Sequence, residues 1–156
     1  MGRGSVEPIL PGGMWFDLFT EQRYGTPDSG AFTQEMFRPL GSIPVLVRAG
    51  GILPLTPAGE VSEKIEDNPE VLELIVAAGG DGEFTLHEEW KAGDDLVWSH
   101  VRVAVQASEN SLTLTIPADT PEAAREALER REWRVRLLGH DPAGFGDLEA
   151  QGSDAT

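Results

Sequence analysis

Short apolar-alternating segments, each stopped by glycine or proline, run through most of this chain and leave room for one helical signal. A two-residue period puts one face of each segment in a core, and such frequent turns send the chain back before a helix can complete several turns. The pattern predicts an all-β fold, an antiparallel β-sandwich of one or two small modules with one short helix. Parallel α/β architecture is disfavoured because the crossover helices it needs are missing.

From Leu10 to Pro57 the pattern is dense. Met14, Phe16 and Leu18 alternate with Trp15, Asp17 and Phe19, which predicts a strand from Met14 to Thr20 after a Pro- and Gly-rich entry. Polar, turn-forming sequence follows from Glu21 to Pro39; a short strand is expected around Phe32, with Phe32 and Phe37 anchoring the loop. Ile43, Val45 and Val47 then alternate with Pro44, Leu46 and Arg48, the proline marking a strand start or a sheet edge. Gly50 and Gly51 bend the chain, and extended structure resumes at Ile52.

Further on, Leu72, Leu74 and Val76 share one face, and the GGDG that follows predicts a hairpin with the strand carrying Phe84 and Leu86. Val101, Val103 and Val105 alternate with Arg102, Ala104 and Gln106, forming a second hairpin with Leu112, Leu114 and Ile116. Thr120 reads as an N-cap and Pro121 as the first helical position. A helix should run from Glu122 to about Arg130 with Ala124, Ala127 and Leu128 toward the sheet. Trp133 to Leu138 is the last expected strand.

These segments divide into a leader at 1–5, a first module at 6–58, an acidic, turn-rich linker at 59–70, a second module at 71–140 and a disordered acidic tail at 141–156. The 156 residues suffice for one good core or two small modules sharing an interface. Asp and Glu total 27 against 12 Lys and Arg, and the resulting net charge of −15 opposes binding to nucleic acid or anionic lipid. With 0 Cys, disulfides and thiolate metal sites are excluded. No apolar run could span a bilayer and no hydrophobic signal segment opens the chain, so a cytoplasmic location is expected, and nothing calls for a cofactor.

The strings LPGGMWFDLFTEQRYG, PLGSIPVLVRAGGILPL and DGEFTLHEE resemble the region directly after the catalytic barrel in glycoside hydrolase family 31, the α-glucosidases and α-xylosidases. That family reads close to LP-x-G-x-W-Y-D-x-x-T-G-x-x-Y, then PLD-x-IPVFVRAG-x-IP, then DG-x-F-x-LYEDDG. Leu10, Pro11, Gly13, Trp15, Asp17, Thr20 and Tyr24 match the first string; Pro39, Ile43, Pro44, Arg48, Gly50 and Pro54 are among the matches to the second. The resemblance covers roughly Ile9 to Glu89. Glu21 stands where a glycine is usual, Gly41 and Ser42 replace the Asp before IPV, and HEEWKAGDD replaces the YEDDG element.

The resemblance implies a proximal and a distal β-sandwich beside a catalytic barrel, and a parent protein that is a retaining α-glycosidase. Retaining hydrolysis needs two carboxylates about 5–5.5 Å apart. In the family both sit on the barrel, and neither the barrel nor the nucleophile's W-x-DMNE-like motif occurs in this sequence. The implied role is that of a non-catalytic C-terminal domain whose partner is the barrel. The alternatives are a carbohydrate-binding module taking an oligosaccharide, or a protein-interaction domain whose uncovered apolar surface lets the isolated chain self-associate.

No catalytic residue is assigned. Trp15, Asp17, Tyr24, Arg48 and Gly50 are expected to be structural, with Asp17 bonding a turn and Arg48 as its partner or that of a neighbouring carboxylate. Of the 4 Trp, Trp15, Trp98 and Trp133 are expected in the core, and Trp90, placed in a loop beside Lys91 and Gly93, is the ligand-contact candidate. His87, Glu88, Glu89, Asp94 and Asp95 read as a solvated acidic turn rather than a calcium loop, and the 3 His are too dispersed for a zinc triad.

Overall fold

A computed structural model describes residues 3–60, 68–108, 111–139 and 150–152. The N-terminal part is a set of short strands: β1 (Arg3–Val6), β2 (Ile9–Leu10), β3 (Trp15–Asp17), β4 (Arg23–Tyr24), β5 (Phe32–Thr33), β6 (Met36–Pro39), β7 (Leu46–Arg48) and β8 (Ile52–Leu55). Longer elements follow: β9 (Val71–Ala77), β10 (Gly82–Ala92), β11 (Asp95–Gln106), β12 (Ser111–Thr115), α1 (Glu122–Arg130), β13 (Glu132–Leu138) and β14 (Ala150–Gly152). The fold is all-β and sandwich-like, mostly antiparallel, with one short helix among the described residues. No described helix is long and apolar enough to cross a membrane.

A three-stranded sheet in the order β13-β9-β8 forms the middle layer. Leu72, Leu74 and Val76 of β9 join Ile52 in a cluster with Val103 and Leu112 of the β10-β11-β12 sheet, and Phe84 and Leu86 pack on it. On the opposite face Ile75, Ala77 and Leu138 meet Phe16 and Val47 from the β4-β3-β7 sheet and Met14, which immediately precedes β3. A strand buried on both faces reads as a nearly continuous apolar run, and β9 is such a strand. Alternation within β3 sends Phe16 to this cluster and Trp15 to another, built on Leu10, Tyr24 and Met36.

That two-sided burial explains the main departure from the expected pairing. β9 does not form a hairpin with β10; it pairs antiparallel with β8 and parallel with β13, while the GGDG segment carries the chain across to the other sheet. β10 instead pairs with β11 along its whole length, through Ala92 opposite Asp95. The HEEWKAGDD stretch is therefore mostly strand rather than an acidic loop. The β11–β12 hairpin forms as expected, with Val103 opposite Leu114.

β8, which precedes the expected linker, pairs with β9, which follows it. Most of that linker, 61–67, lies outside the described residues, as does most of the tail; Ala150–Gly152 pairs parallel with β12. Arg3–Val6, partly within the expected leader, pairs antiparallel with β6. The expected Met14–Thr20 strand is shorter because the chain turns at Asp17. The helix has the expected bounds and buries Ala124 and Leu128, but Pro121 holds the cap position and no side chain caps it. The Thr120 hydroxyl is buried without a hydrogen-bond partner among the described residues.

Candidate functional site

Two buried carboxylates stand out, because an ionised group leaves water only when partners replace its hydration. Asp17, at 0% exposure, ends β3. Its Oδ1 accepts hydrogen bonds from the amides of Phe19 (3.0 Å) and Thr20 (2.8 Å), and its Oδ2 accepts one from Arg38 Nη2. Arg38 Nη2 also approaches the Tyr24 hydroxyl at 3.4 Å, and that hydroxyl donates to Gln22 Oε1 at 3.2 Å. Burial alone would raise the Asp17 pKa, but the Arg38 hydrogen bond and those from Thr20 and Phe19 together hold it below the usual carboxylate range.

Of the two expectations for Arg48, pairing with Asp17 or with a neighbouring carboxylate, the structure excludes the first. In the β3–β7 register Arg48 lies opposite Trp15 and Leu46 lies opposite Asp17, so Arg48 is two residues too far along the strand and stays exposed. The guanidinium that reaches Asp17 comes instead from β6, a segment read only as part of a polar loop. Trp15 is half-buried and donates its indole N–H to the Pro11 carbonyl at 2.9 Å. Tyr24 is buried. Gly50, at φ 83°, donates its amide to the Ala77 carbonyl at 2.8 Å, and a Cβ there would overlap the Asp81 carbonyl oxygen. Gly50 thus lies where the turn after β7 meets the turn after β9.

Glu88 is the second buried carboxylate, on the same face of β10 as Phe84 and Leu86. Arg131 Nη1 and Nη2 donate to Glu88 Oε2 and Oε1, both at 2.8 Å, and Arg131 Nε donates to the Pro69 carbonyl at 2.9 Å. The guanidinium carbon lies over two indoles, 5.4 Å from the Trp90 ring centroid and 5.3 Å from that of Trp133. This arrangement overturns the solvated-turn reading for Glu88 and places Trp90 in a strand rather than a loop. Trp90 Nε1 donates to Ser99 Oγ at 2.8 Å, and the ring borders a hollow of about 400 Å³ shared with Asn68, Glu70, Ala127, Arg130 and Arg131. With its N–H bonded and Arg131 over its ring, Trp90 has less to offer a ligand than an unpaired indole would.

Two aromatics depart from their expected burial: Phe37, expected to anchor the loop, is 56% exposed, and Trp98, expected in the core, is 66% exposed. Trp98 lies on β11. It shares the outer face of β11 with Arg102, since the two lie an even number of residues apart. His87 and His100 are directly opposite each other on that face, their ring centroids 6.1 Å apart. Among the described residues no three His, Asp or Glu side chains come together as a metal site. Each buried carboxylate is thus occupied by an arginine, and the indole left accessible is that of Trp98 on the outer sheet.

No family model matches the chain. Among solved structures it is similar to the crystal structure of the GH31 α-xylosidase from Xanthomonas citri, at 24% sequence identity and a TM-score of 0.57. The likeness covers 86% of this chain and 14% of that one, so the chain spans a small part of the enzyme it resembles. At this identity the comparison establishes a shared fold.

Proposed function

We propose that this chain is a non-catalytic β-sandwich domain of a family 31 glycoside hydrolase, equivalent to the region after the catalytic barrel, and that its role is to brace that barrel. The observation carrying the proposal is the lopsided coverage: most of this chain superposes on a small part of a much longer glycosidase. The matching strings between Leu10 and Pro54 support the same placement. So does the chemistry of Asp17 and Glu88, both held by arginines and so poorly suited to serve as a nucleophile and acid pair. Ile9, Phe19, Phe37, Leu40 and Ile43, all strongly exposed, are apolar groups that a neighbouring domain would cover.

Two measurements test this reading. The purified chain should not release nitrophenol from p-nitrophenyl α-xyloside or α-glucoside, and turnover that is lost on substituting one of its own carboxylates would overturn the proposal. The chain alone should self-associate with rising concentration in light scattering, and substituting Phe37 and Leu40 by serine should reduce that association. A strict monomer at high concentration would count against a covered face.

A further inference from the structure

The outer face of the β10–β11 hairpin differs from the rest of the surface. On β11 it presents Leu96, Trp98, His100 and Arg102; the register places Lys91, Glu89, His87 and Thr85 of β10 opposite them in turn. β12 extends only as far as Thr115, opposite Arg102, so from His100 outward the hairpin projects beyond its sheet as two strands. Trp98 and Leu96 are 66% and 57% exposed in that projecting part. The hairpin's inner face is fixed at the same level by the Glu88–Arg131 pair and the Trp90–Ser99 hydrogen bond. The outer face is therefore held in place without a ligand, which lowers the ordering cost of binding one.

We propose that this face binds a neutral oligosaccharide, with the Trp98 indole stacked on the C–H face of a pyranose ring. An indole accepts apolar C–H groups over its π-face, and hydroxyls around a sugar ring need hydrogen-bonding groups at its rim. Glu89 lies across from the indole, and His100 lies two residues along the strand, about 6–7 Å away, with His87 opposite it. These side chains supply both donors and acceptors. Charge selects against anionic glycans: the chain carries −15 overall, and on this face Arg102 is already paired with Glu83 at 3.5 Å. This binding surface is independent of the bracing role, since it uses the outer sheet rather than the apolar groups of the first module.

Isothermal titration calorimetry with maltohexaose and with xylohexaose, on the whole chain, tests the inference. At least one should bind saturably. Trp98→Ala should weaken that binding about tenfold or more and Trp98→Phe by only a few-fold, with neither changing the melting temperature, because the ring packs against little. Absence of saturable binding by either sugar would overturn the proposal, and so would binding that Trp98→Ala leaves intact. If the wild-type chain associates through this face and Trp98→Ala makes it monomeric without any sugar effect, the surface is a protein contact and the inference is wrong.

Discussion

Glu88 and Arg131, 43 residues apart in sequence, meet as a two-point, buried ion pair with the guanidinium close to the rings of both Trp90 and Trp133. The pair joins β10 to the residue that ends α1, and its side chains are 8% and 1% exposed. Such a pair adds less to stability than its short distances suggest, because the attraction mostly offsets desolvation of both charges.

Removing one partner should nevertheless be severe. Arg131→Met leaves the Glu88 charge buried and the Pro69 carbonyl without its donor, so a loss of about 3–5 kcal/mol is expected in urea unfolding. Arg131→Met combined with Glu88→Leu should recover much of that loss, since neither charge then needs a partner. Additive losses in the double variant would mean that the pair is not energetically coupled.

Asp17 should make stability depend on acid. Its folded pKa is lowered, so above the unfolded value of about 3.9 both states are ionised and its contribution is fully present. As pH falls below that value the unfolded chain takes up the proton first, and the contribution drains away until the folded pKa has been passed. Asp17→Asn should cost about 2–3 kcal/mol at neutral pH, because Arg38 loses its charged acceptor. The gap between variant and wild type should close as urea midpoints are followed from pH 5 downward. A gap independent of pH would show that the carboxylate charge is not what matters.

Much of this architecture was legible from alternation alone. The inward valines of β11 and the apolar face of β9 follow directly from a two-residue period. Extending the same parity would have placed Glu88 and Trp90 inward with Phe84 and Leu86, and Trp98 outward with Arg102; reading Trp98 by residue type instead of position put it in the core. The partners were not legible. Arg38 reaches Asp17 across 21 residues and Arg131 reaches Glu88 across 43, and no local spacing encodes either contact. The GGDG signal was ambiguous for a related reason: a glycine-rich turn can close a hairpin or carry the chain between sheets, and the two-sided burial of β9 decided for the second.

Glu21 offers a chance to stabilise the chain. It is the one described non-glycine residue with positive φ, at 58°, and it stands where the family pattern has glycine. A side chain in this conformation costs about 1–2 kcal/mol. What would be given up is an exposed 3.4 Å contact with Arg136, worth about 0–1 kcal/mol. Glu21→Gly should therefore raise stability by up to about 1 kcal/mol, allowing for the added freedom of glycine in the unfolded chain. Glu21→Ala, which removes the contact and keeps the Cβ, should not. Equal effects of the two in thermal melts would show that the strain is absent.

Gly50 and Gly93 share a positive φ, 83° and 68°, but differ in what surrounds them. An added Cβ at Gly93, in the β10–β11 turn, meets nothing within 4 Å, whereas at Gly50 it would run into the backbone of Asp81. Gly93→Ala should cost only the conformational term, about 1–2 kcal/mol. Gly50→Ala adds a clash with main chain that no rotamer can relieve, for a total of about 2–5 kcal/mol. The Gly50 amide and the Gly51 carbonyl both bond Ala77, so relieving the clash would pull the turn off the end of β9. Urea midpoints for the two variants measure the difference. Equal losses would mean that the turns after β7 and β9 can separate freely; a larger loss at Gly50 would show that their close approach holds the β4-β3-β7 sheet against the middle layer.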